Sequence, residues 1–378
     1  KTAYEIYQCD WSSDVCSSDL TDPTPTPTTL TLGEGHTPLI RSRWLGPRLG
    51  VRDLRFKLEH LNPSGSYKDR FAARFVGNHL AAGHPFVLAT SSGNTGAALA
   101  TYAAAAGLPC IVCVPVEAPE AKLAQIRAHG AFVVRVRGML DTPDAVRALI
   151  DRLSEVCATM GMPLGTSAYE IAPEAMAGIE PLGAEIVAEG APDRIFAPVG
   201  GGGLVVATWR GARDASATTM PPRIHAVQPA GNDTVVTAFR AGHDRARTLG
   251  PGEAGTNVSG LAVPIDLDAT RALLAVRDSG GNGHLVADEA AWEAQATLAR
   301  HEGLFVEPAG ATAVAGLMAA VAAGEVGPDD RVTCILTGSG FKDGAAVARM
   351  ASRVPEAPGS FAPQDLGRAF FEDLIGRP

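Results

Sequence analysis

Four turns rich in glycine or serine lie where a short apolar run ends and a stretch of helical periodicity begins. They span residues 62–70, 90–96, 199–204 and 337–343. In open α/β sheets, the loops that follow the carboxyl ends of the strands form the ligand cleft. We therefore predict that the residues that carry chemistry are concentrated in these four turns.

The first turn, NPSGSYKDR, leads into a predicted helix that carries Lys68 in its first turn. The positive end of the helix dipole opposes a lysine charge at this position and so favours the neutral amine. A neutral amine is the form that attacks an aldehyde to give a Schiff base. The alternative is a solvated surface lysine between Asp69 and Arg70.

The second turn, TSSGNTG, places hydroxyl and amide side chains beside the first N–H groups of a predicted helix. These groups could converge on a carboxylate or on a phenolic oxygen. The candidate residues are Ser91, Ser92, Asn94 and Thr95. Taken alone, the turn is also compatible with an ordinary helix N-cap.

The third turn follows the run RIFAP and contains four adjacent glycines, which are Gly200, Gly201, Gly202 and Gly203. Adjacent glycines let the main chain wrap an anion at a helix N-terminus, at a cost in backbone entropy. The alternative is a flexible turn, which needs only one or two glycines. Because this turn contains neither GxGxxG nor GxxxxGK[ST], we predict a site for a single phosphate and not for a nucleotide.

The fourth turn, TGSGFKD, follows the run VTCIL and offers the Thr337 hydroxyl at a strand end. The four turns together supply one lysine, one phosphate cradle, one amide-bearing loop and one hydroxyl. These are the parts needed to hold pyridoxal 5'-phosphate through a lysine. We therefore predict that pyridoxal phosphate is the cofactor.

The composition excludes several other classes of protein. The length of 378 residues fits about two domains, and 41 acidic against 32 basic residues give a net charge of −9. This charge weighs against a nucleic-acid binder, which would have to neutralise phosphates. No apolar run approaches the roughly 20 residues that span a bilayer, so no membrane partner is expected.

The cysteines point to a reducing compartment, because six in 378 residues are too few for a disulfide scaffold. We therefore predict a cytoplasmic protein. Cys110 and Cys113 form a CxxC, but they lie in a predicted buried strand, where positions three apart face opposite sides. No metal site is predicted.

Short runs rich in Val, Ile and Phe alternate with stretches of helical periodicity from residue 51 onward. This alternation predicts an α/β protein with two doubly wound parallel or mixed sheets and a cleft between two domains. We predict strands at 54–59, 86–90, 110–115, 132–136, 194–198, 224–228, 304–306 and 332–337. We predict helices at 67–82, 95–106, 119–129, 145–160, 181–188, 204–213, 288–301 and 311–322.

A break in this alternation at residues 161–177 gives the predicted domain boundary. An N-terminal domain at 29–165 carries Lys68, and its first residues can pack on the C-terminal domain at 166–378, which carries the glycine turn. Residues 1–28 lack the features of a signal peptide and contain SSDVCSSDL, which resembles translated sequencing-adapter read-through. We predict that they are an artefactual or disordered tail that ends in an extended Thr/Pro run.

The four turns, in this order, resemble the fold-type II pyridoxal-phosphate enzymes, which include threonine synthase, threonine and serine dehydratases, cysteine synthase and the tryptophan synthase β subunit. The resemblance runs from about residue 32 to about residue 347 and implies a tryptophan-synthase-β-like fold. It is greatest to threonine synthases through LGEGHTPL at 32–39, NPSGSYKDR at 62–70, SSGNTG at 91–96, EGLFVEPAGATAVAGL at 302–317 and LTGSGFKD at 336–343.

The resemblance implies a role for each candidate residue. Lys68 would form the Schiff base and then move protons at the substrate carbons. Gly200 to Gly203 would hold the cofactor phosphate, Asn94 would bond the ring 3-oxygen, and Thr337 would face the pyridine nitrogen. The substrate carboxylate would be bound by neighbouring N–H groups and by Ser91, Ser92 and Thr95.

One segment departs from the pattern of threonine synthases, which usually carry NPYRIEGQKT with an arginine expected to bind the phosphate of O-phosphohomoserine. The matching stretch at 167–176 is SAYEIAPEAM, with Glu170 in place of that arginine. A phosphorylated substrate would meet repulsion there unless Arg74 or Lys342 compensates. Glu170 either binds an ammonium or hydroxyl group of another amino acid or is a solvated loop acid.

Three functions follow from the resemblance and its departure. The first is a lyase of threonine-synthase type that acts on an activated amino acid such as O-phosphohomoserine. The second, favoured by the lost arginine, is β-elimination or β-replacement on serine, threonine or an O-activated serine. The third is a non-catalytic pyridoxal-phosphate-binding protein. The expected partners are a small amino acid and a second copy of the chain in a homodimer.

Overall fold

The computed structural model describes residues 30–216, 220–250, 252–253, 255–354 and 359–376. The predicted tail at 1–28 and the whole Thr/Pro run lie outside the described residues. The strands are β1 Leu39–Arg41, β2 Asp53–Lys57, β3 Val87–Thr90, β4 Cys110–Pro115, β5 Phe132–Val136, β6 Arg194–Pro198, β7 Arg223–Pro229, β8 Asn282–Val286 and β9 Arg331–Ile335.

Most of the longer helices match the stretches of helical periodicity. The first seven helices are α1 Leu45–Leu49, α2 Lys68–Ala81, α3 Asn94–Ala105, α4 Glu120–Ala128, α5 Pro143–Thr159, α6 Pro173–Met176 and α7 Pro181–Gly190. The next seven are α8 Gly203–Ala215, α9 Val236–Arg240, α10 Ala269–Asp278, α11 Asp288–Thr297, α12 Pro308–Ala322, α13 Gly344–Ala351 and α14 Arg368–Gly376. Within the described ranges, none of them combines the length and the apolar character that crossing a membrane requires.

The strands form two sheets, which confirms the predicted α/β class. The larger sheet has the order β1-β2-β9-β6-β7-β8, in which β1 is antiparallel to β2 and all other neighbours are parallel. The smaller sheet has the order β3-β4-β5 and is parallel throughout. Because β1 and β2 pair in the larger sheet, the chain enters the smaller sheet only after residue 57.

The expected strand at 304–306 is wrong. Val306 forms only an isolated bridge with Ser339. The extended segment is short because it follows a π-helical turn, Leu298–Glu302, and leads almost at once into α12. Its partner is a turn and not a sheet strand.

The sequence analysis did not predict β8 or α10. The strand β8 has the sequence NGHLV, and it begins with Asn282 and Gly283, two residue types that are depleted in strands. It nevertheless pairs along its whole length with β7. The tertiary pairing therefore outweighs the local preference.

A buried network of charges holds the start of α2. The Arg70 guanidinium contacts Glu59 at 2.8 Å and Glu185 at 2.7 Å, and the fully buried Lys57 contacts Glu185 at 2.9 Å. Burial alone would raise the pKa of Glu185, but the hydrogen bonds from Arg70 and Lys57 lower that pKa to about 2. The network joins β2, α2 and α7, and it therefore fixes the direction in which α2 leaves the larger sheet.

We expect Arg70→Met to lower the free energy of unfolding by about 3–5 kcal/mol, because it leaves the buried Glu59 carboxylate without its cation and Glu185 with Lys57 alone. Urea unfolding followed by tryptophan fluorescence measures this change. Arg213→Met is the matched control, because Arg213 pairs with Asp214 at an exposed site, where an ion pair contributes about 0–1 kcal/mol. Equal losses in the two variants would contradict the structural role of Arg70.

Candidate active site

The turn before Lys68 and the turn that contains Thr337 are joined through their main chains. The N–H of Tyr67 donates to the Thr337 carbonyl at 3.0 Å, and the N–H of Ser339 donates to the Gly65 carbonyl at 2.9 Å. Both turns follow strands, β2 and β9, that are parallel neighbours. The structure therefore brings the predicted lysine and the predicted hydroxyl to one edge of the larger sheet.

The Lys68 side chain takes part in a short chain of hydrogen bonds. Its Nζ donates to Ser167 Oγ at 2.6 Å, and Ser167 Oγ lies 2.9 Å from Thr95 Oγ1. When the lysine donates to Ser167, the Ser167 hydroxyl proton is free to be donated to Thr95. Ser167 therefore connects the lysine to the predicted carboxylate-binding turn.

Ser167 was not among the residues predicted for the site. It belongs to the segment between the two sheets, and it is the first residue of the stretch SAYE. Serine is common in loops, so its type alone gave no signal. Its position at the start of the segment that departs from the threonine-synthase pattern is the feature that could have identified it.

The turn at 91–95 presents N–H groups and hydroxyls at the start of α3. In the described structure, the N–H groups of Ser92, Asn94 and Thr95 find no acceptor, whereas the N–H of Gly93 donates to Ser91 Oγ at 3.2 Å. Unpaired N–H groups at a helix start favour an anion. This geometry is compatible with the predicted carboxylate contacts.

The glycine turn is the start of α8, and its main chain is shaped by Gly202, whose φ of +101° lies in the left-handed region. A Cβ at Gly203 would lie 2.5 Å from Met176 Cε, and a Cβ at Gly202 would lie 2.6 Å from the Asp268 carbonyl oxygen. Larger residues would therefore displace the turn. The N–H groups from Gly200 to Val205 donate to no acceptor within the described ranges, so this turn can cradle an anion.

Asn94 contacts Glu307, a residue that the sequence analysis did not name. Asn94 Nδ2 donates to Glu307 Oε1 at 2.7 Å. The Thr337 side chain is buried, and its hydroxyl makes no hydrogen bond to any described residue. The signal for Glu307 was an acid directly before the proline that begins α12, but this pattern is also that of an ordinary helix start.

Glu170 forms an ion pair with Arg147 of α5 at 2.6 Å. The two residues line a cavity of about 310 Å³ together with Ser154 and Leu164, and none of Lys68, Asn94 and Thr337 lines it. Among the described residues, no hydrogen bond or ion pair joins the Glu170 side chain to Lys68, Asn94 or Thr337. The predicted role of Glu170 in substrate binding stays a prediction.

Three residues at the far edge of the larger sheet, His225, His284 and Glu325, have the types of a metal site. His225 Nδ1 lies 2.9 Å from His284 Nε2, and the ring centroids are 5.2 Å apart with planes inclined by 11°. The two imidazoles therefore lie within hydrogen-bonding distance of each other. Arg194 lies 3.2 Å from the other nitrogen of His225, which disfavours a cation.

Comparison with protein families shows which family the chain belongs to. Residues 30–338 match the family described as "Pyridoxal-phosphate dependent enzyme". The chain belongs to this family. Its cofactor is therefore pyridoxal 5'-phosphate, and it is a pyridoxal-phosphate-dependent lyase with the predicted fold-type II architecture.

Curated relatives of the chain are named threonine synthase. The one from Methanosarcina acetivorans is 38% identical over 322 residues, which cover 83% of this chain and 76% of the relative. The one from Methanocaldococcus jannaschii is 36% identical over 328 residues, which cover 85% of this chain and 78% of the relative.

Solved structures share the fold. The processed form of threonine deaminase isoform 2 from Solanum lycopersicum is 23% identical with a TM-score of 0.68, and the match covers 84% of this chain and 82% of that chain. Maize serine racemase is 23% identical with a TM-score of 0.68, and the match covers 84% of this chain and 92% of that chain. Both likenesses concern the fold alone.

The residues present fit pyridoxal phosphate. The cofactor has a phosphate, a phenolic oxygen, a ring nitrogen and an aldehyde. The glycine turn offers N–H groups without acceptors, and Asn94 offers an amide N–H for the phenolic oxygen. Thr337 offers a hydroxyl that is not engaged by any described residue, and Lys68 offers an amine at the same sheet edge. Each polar group of the cofactor therefore has a chemically suitable group in this family member.

We expect Ser167→Ala to lower kcat/KM of the lyase reaction about fivefold, because one hydrogen bond that orients the Lys68 amine is lost. The cofactor content, measured by absorbance, is expected to stay at the wild-type level. Ser154→Ala, in the cavity beside Glu170, is the control. An unchanged kcat/KM in Ser167→Ala would show that this serine does not orient the lysine.

Proposed function

We propose that the chain catalyses a reaction of threonine-synthase type, in which O-phosphohomoserine and water give threonine and inorganic phosphate. The observation that carries the proposal is the hydrogen-bonded chain from Lys68 through Ser167 to Thr95. This chain supports the proposal because it joins an amine to a turn that is suited to a carboxylate. The identity of 38% and 36% to proteins named threonine synthase supports the same reaction.

The proposed roles of the residues follow their chemistry. The N–H groups of Gly200 to Gly203 hold the cofactor phosphate, Asn94 donates to the ring oxygen, and the Thr337 hydroxyl faces the ring nitrogen. When bound, the cofactor withdraws electrons from the substrate carbons. A hydroxyl beside the ring nitrogen leaves that nitrogen unprotonated, which suits elimination and replacement better than transamination.

Lys68 is the proposed proton carrier. Its amine would hold the cofactor in the resting enzyme, and the free amine would take and return protons at the substrate carbons. The substrate carboxylate accepts hydrogen bonds at the start of α3, with Ser91, Ser92 and Thr95 around it. This contact fixes the amino acid so that its reacting carbons face the lysine.

The alternative function is β-elimination or β-replacement on serine, threonine or an O-activated serine. The observation that favours it is Glu170, which stands where threonine synthases usually have an arginine and whose charge is satisfied by Arg147. Position 170 therefore supplies no cation that could bind the phosphate of a phosphorylated substrate. Membership of a lyase family speaks against the non-catalytic alternative.

A direct comparison of substrates distinguishes these functions. We expect purified holoenzyme to release phosphate and form threonine from O-phosphohomoserine in equal amounts, measured by a phosphate assay and by amino-acid chromatography. Formation of a 2-oxo acid from serine or threonine, without any phosphate release, would instead support the alternative.

The Lys68→Ala variant tests the assignment of the lysine. We expect it to lose the visible absorbance of the bound cofactor and to lose at least about 10³-fold in rate, because both the covalent attachment and the proton carrier are removed. Lys122→Ala, on α4, is the control for loss of a lysine. Visible absorbance that survives in Lys68→Ala would show that another residue holds the cofactor.

A further inference from the structure

Glu307 is a buried carboxyl group at the edge of the candidate site. Only 8% of the residue is exposed, and its Oε1 accepts a hydrogen bond of 2.7 Å from Asn94 Nδ2. It comes from the larger sheet's side of the cleft, whereas Asn94 begins α3 beside the smaller sheet. The contact therefore crosses between the two halves of the site.

The surrounding backbone is built around this carboxyl group. A Cβ at Gly338 would lie 2.1 Å from Glu307 Oε1 and 3.1 Å from Asn94 Nδ2, so only glycine fits there. The N–H of Glu307 donates to the Gly338 carbonyl at 2.9 Å. The carboxyl group therefore lies between Asn94, a predicted cofactor contact, and Gly338, which directly follows Thr337.

The usual structural reasons for burying a glutamate do not apply to Glu307. It is the N-cap residue of α12, but its side chain accepts no capping hydrogen bond. Within the described ranges it also has no ion pair, although Lys342, Lys122 and Asp343 act on it electrostatically. A buried carboxyl group without a paired cation costs stability, which favours a functional reason for its presence.

We propose that Glu307 is a positioning residue for the cofactor, because it fixes the orientation of the Asn94 amide. An ionised carboxylate can only accept hydrogen bonds, so it requires the NH₂ end of the amide to face it. The second N–H of that NH₂ group is then left to donate to the ring oxygen of pyridoxal phosphate. This inference rests on the proposed cofactor contacts and is independent of which amino acid is the substrate.

The protonation of Glu307 changes this arrangement near neutral pH. Burial, partly offset by Lys342 and by Asn94, raises the pKa of Glu307 to about 7. Below this pKa the carboxyl group gains a proton and can donate a hydrogen bond to the Asn94 side-chain carbonyl oxygen. The protonated carboxyl group therefore no longer requires the NH₂ end of the amide to face it. The proposed hydrogen bond from Asn94 to the ring oxygen is therefore strongest above pH 7.

The test compares Glu307→Leu and Glu307→Gln by titration with pyridoxal phosphate and by visible absorbance from pH 6 to pH 8. Glu307→Leu is expected to raise the apparent Kd about fivefold or more, because the amide loses its acceptor. Glu307→Gln keeps an acceptor oxygen and is expected to bind within about twofold of wild type, but to lose the change in absorbance around pH 7.

Thr312→Val is the control for disturbance of α12, because the buried Thr312 hydroxyl contacts only the Pro308 carbonyl among the described residues. The proposal is overturned if Glu307→Leu binds the cofactor as Thr312→Val does. It is equally overturned if Glu307→Gln keeps the pH dependence of wild type, a result that can be obtained even if the leucine variant does not fold. Neither readout uses a substrate, so failure of the substrate assay would not affect this test.

Discussion

The contact of Arg70 with Glu59 and Glu185 is the interaction on which the site depends. Arg70 lies two residues after Lys68, and its ion pairs join the first turn of α2 to the larger sheet and to α7. Asp69, between the two, accepts a hydrogen bond of 2.5 Å from the Ser64 N–H and closes the preceding turn. A lysine side chain is flexible, so its amine can keep its hydrogen bond to Ser167 only if the backbone that carries the lysine is fixed.

The main chain and the side chains have different proposed roles at the site. In the proposed site, main-chain N–H groups at the starts of α3 and α8 are the donors to anions. The proposed side-chain contacts, the amine of Lys68, the amide of Asn94 and the hydroxyl of Thr337, would then orient the ligand. A protein with a net charge of −9 can thereby bind anionic ligands.

The sequence allowed the sheet edge and its turns to be predicted, because the order of apolar runs and glycine turns is local information. It did not allow Glu307 or Ser167 to be found, since each acquires its meaning from a partner far along the chain: Asn94 lies 213 residues from Glu307, and Lys68 lies 99 residues from Ser167. The strand predicted at 304–306 is wrong for the same reason, because a strand also depends on a partner far along the chain. Its apolar residues are correct for a strand, but no sheet neighbour is available to pair with them.

The position of β9 within the larger sheet has a consequence for the order of events during protein synthesis. β9 lies between β2 and β6, although it is the last strand in the described part of the chain. The turns with Lys68, the four glycines and Thr337 follow β2, β6 and β9, so they meet only after residues 331–335 have left the ribosome. Pairing between segments so distant in sequence is slow because the loop-closure entropy is large. A nascent chain therefore has no complete cofactor pocket, and capture of pyridoxal phosphate has to follow closure of the whole sheet.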